Sequence, residues 1–578
     1  MKAPLRILRR SPSERPDQLP SDLHPVLRRV LSHRNLTDAD ALDLGLANMA
    51  PPGTLTGIEA AADLLAEAIQ ADCHILVVGD FDADGATGTA LAVRLLRAFG
   101  ATQVTYRVPN RFEFGYGLTP GLVETLADDP PDLLMTVDSG IACLAGVARA
   151  RELGCEVLVT DHHLPGAELP PASAIVNPNL PSDPFPSKAL AGVGVVFYLM
   201  AVLRARLQAA GWFQAGRQAP RLADYLDLVA LGTVADVVPL DHNNRVLVRQ
   251  GLERIRAGRA CPGLLALLRV GKRDYRHLVA ADLGFAVGPR LNAAGRLEDM
   301  SVGIRCLLTD DHEEALALAE QLDQLNAQRK AMQNTMQTEA AEQVDKLVAA
   351  LGDHLPFSLC LHDDTWHQGI VGLVAARIKE ATYRPVVAFA PESPGATRLK
   401  GSARSVPGLH IRDVLAHVHA HAPDLMNAFG GHAMAAGLTL EQSRLEEFRA
   451  ALEQSVQHFL AGQAPRAEVL TDGELTASEL NLEFAAQLAA LGPWGQQFPE
   501  PLFEGAFEVL EQRVVGGAHL KMSLRPLDGH EPIDAIAFGR LPEDLGGQRQ
   551  LRILYRLDLN HFRGVARAQL LVEHLLRS

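Results

Sequence analysis

Short apolar runs alternate with stretches of helical spacing through the first third of the chain. Residues 74–78 (HILVV) are an apolar run that leads into Gly79-Asp80. Residues 87–99 then show helical spacing, with Leu91, Val93, Leu95 and Leu96 among small residues. Further apolar runs stand at 133–137, 156–160 and 174–176. The run 133–137 closes on Asp138-Ser139-Gly140, and the run 156–160 closes on Asp161-His162-His163. Runs of this length between helical segments predict βαβ units and a buried parallel sheet.

The pattern changes near residue 311. Leu318, Leu322, Leu325, Met332, Met336, Val344 and Leu347 recur at three- and four-residue steps or their multiples, with no Gly or Pro between them. That spacing predicts one long amphipathic helix over 311–350, joining two domains. A second α/β region follows over 351–462, with a Pro-containing polar linker at 463–466. After a helical stretch at 477–491, short runs at 507–510, 520–524, 533–538, 552–557 and 569–572 predict the strands of a small barrel. The expected organisation is an α/β chain in five parts. A Pro- and Arg-punctuated segment (1–70) packs on the core and is helical near 57–69. A parallel-sheet domain (71–310) follows, then the linker helix (311–350), the second α/β domain (351–462) and the barrel domain (463–578).

Composition narrows the classes. Of 578 residues, 47% are hydrophobic and 21% charged, which excludes a mostly disordered chain. The net charge of −15 excludes a uniformly basic coat but not a local basic groove. Six scattered cysteines without a C-x-x-C pair point to reduced thiols rather than a disulfide framework or structural zinc. The basic start lacks a long apolar core, and the most apolar stretch, 189–203, is shorter than the ~20 residues a bilayer requires. The expectation is a cytoplasmic protein that does not enter membranes, with 189–203 a buried core helix.

The chemistry concentrates where the first strands end. Asp80-Phe81-Asp82-Ala83-Asp84-Gly85 follows the first run, Asp138 the second and His162-His163 the third. Asp236 follows the apolar helical stretch 227–234. The carboxyl ends of parallel strands share one edge, so these groups converge although they are distant in sequence. So many carboxylates cannot be ionised together without cations. Oxygen and imidazole donors without thiolate suit Mg or Mn, and two such ions suit in-line attack on a phosphate. The D-x-D-x-D-G spacing also resembles a calcium loop, but position twelve of that loop is Leu91 rather than Glu.

Several motifs resemble the DHH phosphoesterase superfamily, in particular its bacterial exonucleases of single-stranded DNA. They are VVGDFDADGATGTA (77–90), VPNRFEFGYGL (108–118), TVDSGI (136–141), TDHHLPG (160–166), NPN (177–179), LVALGTVADVVPL (228–240), GPRLNAAGR (288–296), WHQGIVG (366–372), GSARS (401–405), FGGHAMAAG (429–437) and LGPWGQQFPEPLF (491–503). The resemblance implies a DHH-type catalytic domain, a DHH-associated domain and a C-terminal OB fold. It implies 5′-to-3′ hydrolysis of single-stranded DNA to mononucleotides with two Mg or Mn ions and no protein nucleophile. By the same resemblance, Asp82 and Asp138 bind one ion. Asp84, Asp138, His162 and Asp236 bind the other, and His163 meets the scissile phosphate. Many relatives carry a metal-binding His where this chain has Val78, and Asp80 is the obvious substitute. Ser139 replaces an Asn common in relatives and is expected beside the ligands rather than among them.

For DNA, the resemblance implies contacts from Arg111, Arg290, Asn292 and Arg296, with Ser402, Arg404, Gly431 and His432 gripping the 5′ end. Residues 245–296 carry eleven Arg and Lys against three acids, which suggests a phosphate-tracking groove. Phe112, Phe114 and Tyr116 are candidates for base stacking or core packing, and Lys521 and Arg563 for contacts on the barrel. A strand-coating protein and a RecQ-type helicase are implied partners, and the chain is expected to act as a monomer. Two other classes compete: a hydrolase of very short or cyclic oligonucleotides, for which the barrel and basic segment are superfluous, and an inactive scaffold, which would have lost metal ligands.

Overall fold

In the computed structural model the described residues are 5–110, 113–214, 216–351, 355–366, 368–393, 395–431, 433–562 and 564–576. Arg111, Phe112, His432 and Arg563 lie outside them. The chain divides into two compact units. One is residues 10–327 with 471–578, and the other is residues 1–9 with 328–470.

In the first unit, five parallel strands line up in the order Val104–Arg107, Ile75–Gly79, Leu133–Val137, Glu156–Thr160, Ala174–Val176. In chain order this is 2-1-3-4-5, a doubly wound sheet whose order reverses between Ile75–Gly79 and Leu133–Val137. The strand Val104–Arg107 escaped the sequence reading. It is a half-exposed edge, and its Thr-Tyr-Arg gives no apolar run. The two strands at the reversal are buried along their full length, as their unbroken apolar runs require.

Helices Ile58–Gln70, Ala83–Phe99, Gly192–Ala209 and Leu226–Ala235 pack together in the same core. Ala83–Phe99 threads between sheet and helices, so small residues fill its first turns and nearly every side chain is buried. The core helix expected at 189–203 is Gly192–Ala209, 18 residues long. By length and composition it is the one helix among the described residues that could cross a membrane, yet 61% of it is buried in this core.

The barrel closes in the order Phe503–Val515, His519–Pro526, Ile533–Phe538, Val565–Leu576, Gln550–Phe562. One parallel pairing, Ile533–Phe538 with Val565–Leu576, closes it, which is an OB-like arrangement. Two of the strands run to 13 residues, far past the expected four to six. The outer part of Phe503–Val515 is exposed, and its Glu511, Gln512 and Arg513 interrupt the hydrophobic run. Helix Pro25–Ser32 inserts Val26, Leu27 and Val30 into the barrel core.

In the second unit, five strands lie in the order Ala428–Gly431, Ala435–Glu441, Arg398–Arg404, Val386–Pro391, Leu359–His362. The first three pairings are antiparallel and the last is parallel. Strand Leu5–Arg9 forms a separate two-stranded sheet with Ala467–Thr471. The linker helix runs from His312 to Leu351. Leu318, Leu322 and Leu325 are buried, but Met332 is exposed, so the apolar stripe ends before it. Met336, Val344 and Leu347 lie outside the residues whose side chains are described.

One buried ion pair joins helix Pro25–Ser32 to the start of the barrel domain. Asp472 accepts from Arg34 Nη1 at 2.9 Å and from Leu502 N at 3.2 Å, and its Oδ1 lies 2.9 Å from His33 Nδ1. Burial alone would raise its pKa, but the bonds from His33 and Arg34 outweigh it and hold the carboxyl at about 2. A depressed carboxyl pKa gives stability that is complete above pH ~4 and is lost as pH falls towards 2. Asp472→Asn is therefore expected to cost about 3 kcal/mol at pH 7, because Arg34 is left buried without its counter-charge. In urea unfolding, the gap between wild type and variant should narrow as pH drops from 4 to 2; a pH-independent gap would contradict this pairing.

Candidate metal centre

The acids assigned from sequence do gather, and they gather at the reversal of strand order. Asp80 follows Ile75–Gly79, and Asp138 follows Leu133–Val137 in a left-handed conformation at φ +59°. That φ turns the Asp138 carboxylate back over the sheet edge instead of letting the strand continue. Asp82 caps helix Ala83–Phe99, its Oδ1 accepting from Asp84 N at 2.9 Å and Gly85 N at 3.0 Å. Asp84, one residue inside that helix, accepts from Gly192 N at 2.6 Å and Val193 N at 3.0 Å. The amino end of Gly192–Ala209 thus holds this carboxylate in place. Asp236 stands at the carboxyl end of Leu226–Ala235.

Three overlapping groups of ligand atoms result, each within 4.8 Å: Asp80, Asp82 and Asp138; Asp84, His162 and Asp236; Asp138, His162 and His163. His162 Nε2 lies 3.0 Å from Asp138, 3.5 Å from Asp236 and 4.0 Å from Asp84. Asp80 Oδ1, Asp138 Oδ1, His162 Nε2 and Asp236 Oδ2 are buried and make no hydrogen bond. The 3.0 Å approach of His162 to Asp138 lacks hydrogen-bond alignment, so proximity there is not pairing. Unpaired buried donors and acceptors aimed at one point are what a bound cation would satisfy. The donor set is carboxylate and imidazole only, which fits Mg or Mn.

The electrostatics agree. Burial, and then its neighbour Asp82, push Asp80 and Asp84 each up to about 7. Burial and then Asp84 lift Asp236 to about 9, and burial with the same neighbours raises Asp138 well above the carboxylate range. Burial and then His163 push His162 down to about 4, so its ring is neutral and its Nε2 lone pair free. The field at this edge is strongly negative and calls for cations.

Asp161, the first residue of the Asp-His-His run, was given no role from sequence, yet it organises both histidines. Its carboxylate accepts from the backbone N of Ile141, His162 and His163, and lies 2.8 Å from His163 Nδ1. The bond to Asp161 raises the His163 pKa against the opposing effect of burial, and leaves Nε2 as the outward atom. Asn177 and Asn179 complete the clamp through the carbonyls of His163 and His162, at 2.9 and 2.6 Å. Tyr116 leans over the edge, with its hydroxyl donating to the Asp138 carbonyl at 3.3 Å. Phe114 instead packs on the core behind the sheet. Val78, where relatives were expected to carry a ligand, points into that same core. Ser139 is buried and bonds only locally.

The residues expected on DNA are distributed differently. Asn292 Oδ1 accepts from Ala83 N at 2.8 Å, so it supports the acidic loop. Gly295 abuts the Phe81 carbonyl, where an added Cβ would come to 1.9 Å. Arg290 is tied to Asp323 at 2.7 Å, and Arg296 is exposed. The excess of positive charge over 245–296 is partly neutralised within the fold. Arg249, Arg254, Arg273, Arg276 and Arg290 pair with acids, and Arg245 is buried with its guanidinium 4.1 Å from the Phe498 ring centre. Two of those acids, Asp224 and Asp323, come from outside the 245–296 window. On the barrel, Lys521 pairs with Asp534 at 3.0 Å.

In the second unit, Arg404 donates to Ser402 Oγ at 2.9 Å and makes no ion pair with an acid among the described residues. Its Nη2 stands 2.8 Å from where a Cβ on Gly372 would be. Gly431 holds φ +148° opposite Ala436.

Comparison with known proteins agrees with this layout. The model of the DHH family N-terminal domain matches residues 74–233, that of the DHHA1 domain 338–458, and that of the RecJ OB domain 471–574. The single-stranded-DNA-specific exonuclease RecJ of Salmonella typhimurium is 50% identical over 575 residues, covering 99% of each chain. The chain belongs to the RecJ family. RecJ of Escherichia coli is 49% identical over the full length of both chains. The crystal structure of RecJ in complex with Mn2+ from Thermus thermophilus matches 99% of this chain and 79% of that one, at 33% identity and a TM-score of 0.76. A Mg2+ complex of RecJ from the same organism matches at a TM-score of 0.70.

Gly192 tests the tightness of this centre. A Cβ there would meet the Asp138 carboxylate, 2.8 Å from Oδ1. Gly192→Ala is expected to lower Mn2+ affinity about tenfold or more while far-ultraviolet circular dichroism stays unchanged. Equal affinity in an isothermal titration would mean that Asp138 has room to move.

Proposed function

We propose that this chain is a single-stranded-DNA-specific exonuclease, active in DNA repair and recombination, that hydrolyses phosphodiester bonds from the 5′ end and releases mononucleotides. The observation that carries the proposal is the shared position of Asp138 and His162 between overlapping groups of otherwise unpaired ligand atoms. Asp80, Asp82 and Asp138 would hold one Mg2+ or Mn2+, with Asp80 taking the place of the absent histidine. Asp84, Asp138, His162 and Asp236 would hold the second, with Asp138 common to both. When bound, two such ions supply an activated water and offset the negative charge that grows on the phosphate.

The protein's own groups then position and hold. His163, with Nδ1–H fixed on Asp161, presents Nε2 to the scissile phosphate, to which it donates as the imidazolium that Asp161 favours. Asp161 also holds the orientation of the ring. No serine, threonine or cysteine is required as a nucleophile. Arg404 and Ser402, with Gly431 and His432, would grip the 5′ end; a guanidinium with no competing acid is suited to a terminal phosphate. Arg111 and Arg296 would add phosphate contacts, Asn292 serves the strand indirectly by fixing the acidic loop at Ala83, and Arg290 is held in reach of the strand by Asp323. The OB domain supplies a surface of the kind that carries single strands. The proposed setting is the cytoplasm, as a monomer, with a RecQ-type helicase and a strand-coating protein delivering the substrate.

Three experiments check this. With 5′- and 3′-labelled strands, Mn2+ or Mg2+ should support stepwise loss of single-stranded DNA from the 5′ end, and a chelator should stop it. Digestion from the 3′ end, or of duplex at equal rate, would refute the reading. Asp138→Ala should bring cleavage below detection while gel-shift binding of a single strand is kept. Arg404→Ala should cost about 2 kcal/mol, roughly thirtyfold, in preference for a 5′-phosphorylated end; an unchanged preference removes it from the pocket.

A further inference from the structure

Within residues 328–470, and apart from every residue assigned above, three imidazoles lie side by side. His417 and His421 stand one turn apart on helix Ile411–His421, with ring centres 4.1 Å apart. His458, near the end of helix Leu445–Phe459, stacks against the His417 ring at 4.9 Å with the planes 17° apart. His417 is half-buried, while His421 and His458 are exposed. Phe459 closes one side, edge-on to His417 and to His458, with ring centres 5.6 Å from each.

The ring nitrogens are already sorted. His421 Nδ1 donates to the His417 carbonyl at 2.8 Å, which leaves its Nε2 as a bare lone pair. His417 Nδ1 is engaged by Ser455 Oγ at 3.0 Å, so Nε2 is again its remaining atom. Among the described residues no carboxylate pairs with any of the three. Two histidines four residues apart on one helix are a chelating spacing, and a third imidazole from a neighbouring helix adds a ligand. Imidazole without carboxylate selects zinc, nickel or copper over magnesium or manganese. This donor set is therefore the opposite of the oxygen-rich one at the sheet edge. At rest His458 lies face to face with His417, and the His421 ring is tilted 34° to it; seating an ion requires the exposed His421 and His458 to turn edge-on about χ1 and χ2.

We propose that His417, His421 and His458 form a second metal site, for a transition-metal dication of the zinc type, that ties helix Ile411–His421 to helix Leu445–Phe459. The test uses the full chain and Zn2+ alone as probe, comparing wild type with H421Q/H458Q, both exposed positions. Equilibrium dialysis should show one more zinc per chain on wild type than on the variant. Zinc should raise the melting temperature of wild type more than that of the variant. With Cu2+ instead, electron paramagnetic resonance should show an ion with at least two nitrogen ligands that the variant loses. Unchanged Mn2+-dependent digestion of single-stranded DNA shows that the variant is folded; should the double variant lose it, H458Q alone serves for the same comparison. Equal zinc stoichiometry and equal stabilisation in wild type and variant would overturn the proposal, whatever the outcome at the catalytic edge.

Discussion

Five carboxylates, Asp80, Asp82, Asp84, Asp138 and Asp236, share a small volume with one neutral imidazole, the first, third and fourth of them buried and the other two half-buried. Their mutual repulsion is the constraint around which the first unit is built. The fold meets it in two ways. Backbone amides at helix amino ends neutralise part of the charge, through Asp82 on its own helix and Asp84 on Gly192–Ala209. The rest is left unmet at atoms that all face one space, which is where divalent ions belong.

Rigidity follows from the same need. Asp138 is held at a positive φ, Asp161 is locked by four hydrogen bonds, and Asn292 reaches across from another helix to pin the amide of Ala83. Such supports matter because a misplacement of about 1 Å is enough to spoil in-line geometry. The glycines near the centre have the same logic: at Gly192 and Gly232 the protein has no room for a side chain beside Asp138 and Asp84.

Much of this was legible in the chain. Buried strands announce themselves as unbroken apolar runs, so four of the five strands of the catalytic sheet, and the acids that follow three of them, could be read directly. The half-exposed strand Val104–Arg107 and the long polar ends of the barrel strands could not, because exposure on one side leaves no hydrophobic signal. Asp161 looked like part of a motif rather than a support, since its role lies in bonds to its own neighbours. The basic segment is less unbalanced in the fold than along the chain. Charge counted along a window ignores partners that fold in from elsewhere, as Asp323 does for Arg290 and Asp224 for Arg254.

The small sheet formed by Leu5–Arg9 and Ala467–Thr471 also bears on how the chain comes into being. The partner of the first of these strands is synthesised more than 450 residues after it. At ~5–20 residues per second, that is a wait of roughly half a minute to a minute and a half. Through that interval an unpaired strand edge trails from the nascent polypeptide, and Arg6 and Arg9 give it the positive charge that discourages pairing with the wrong neighbour.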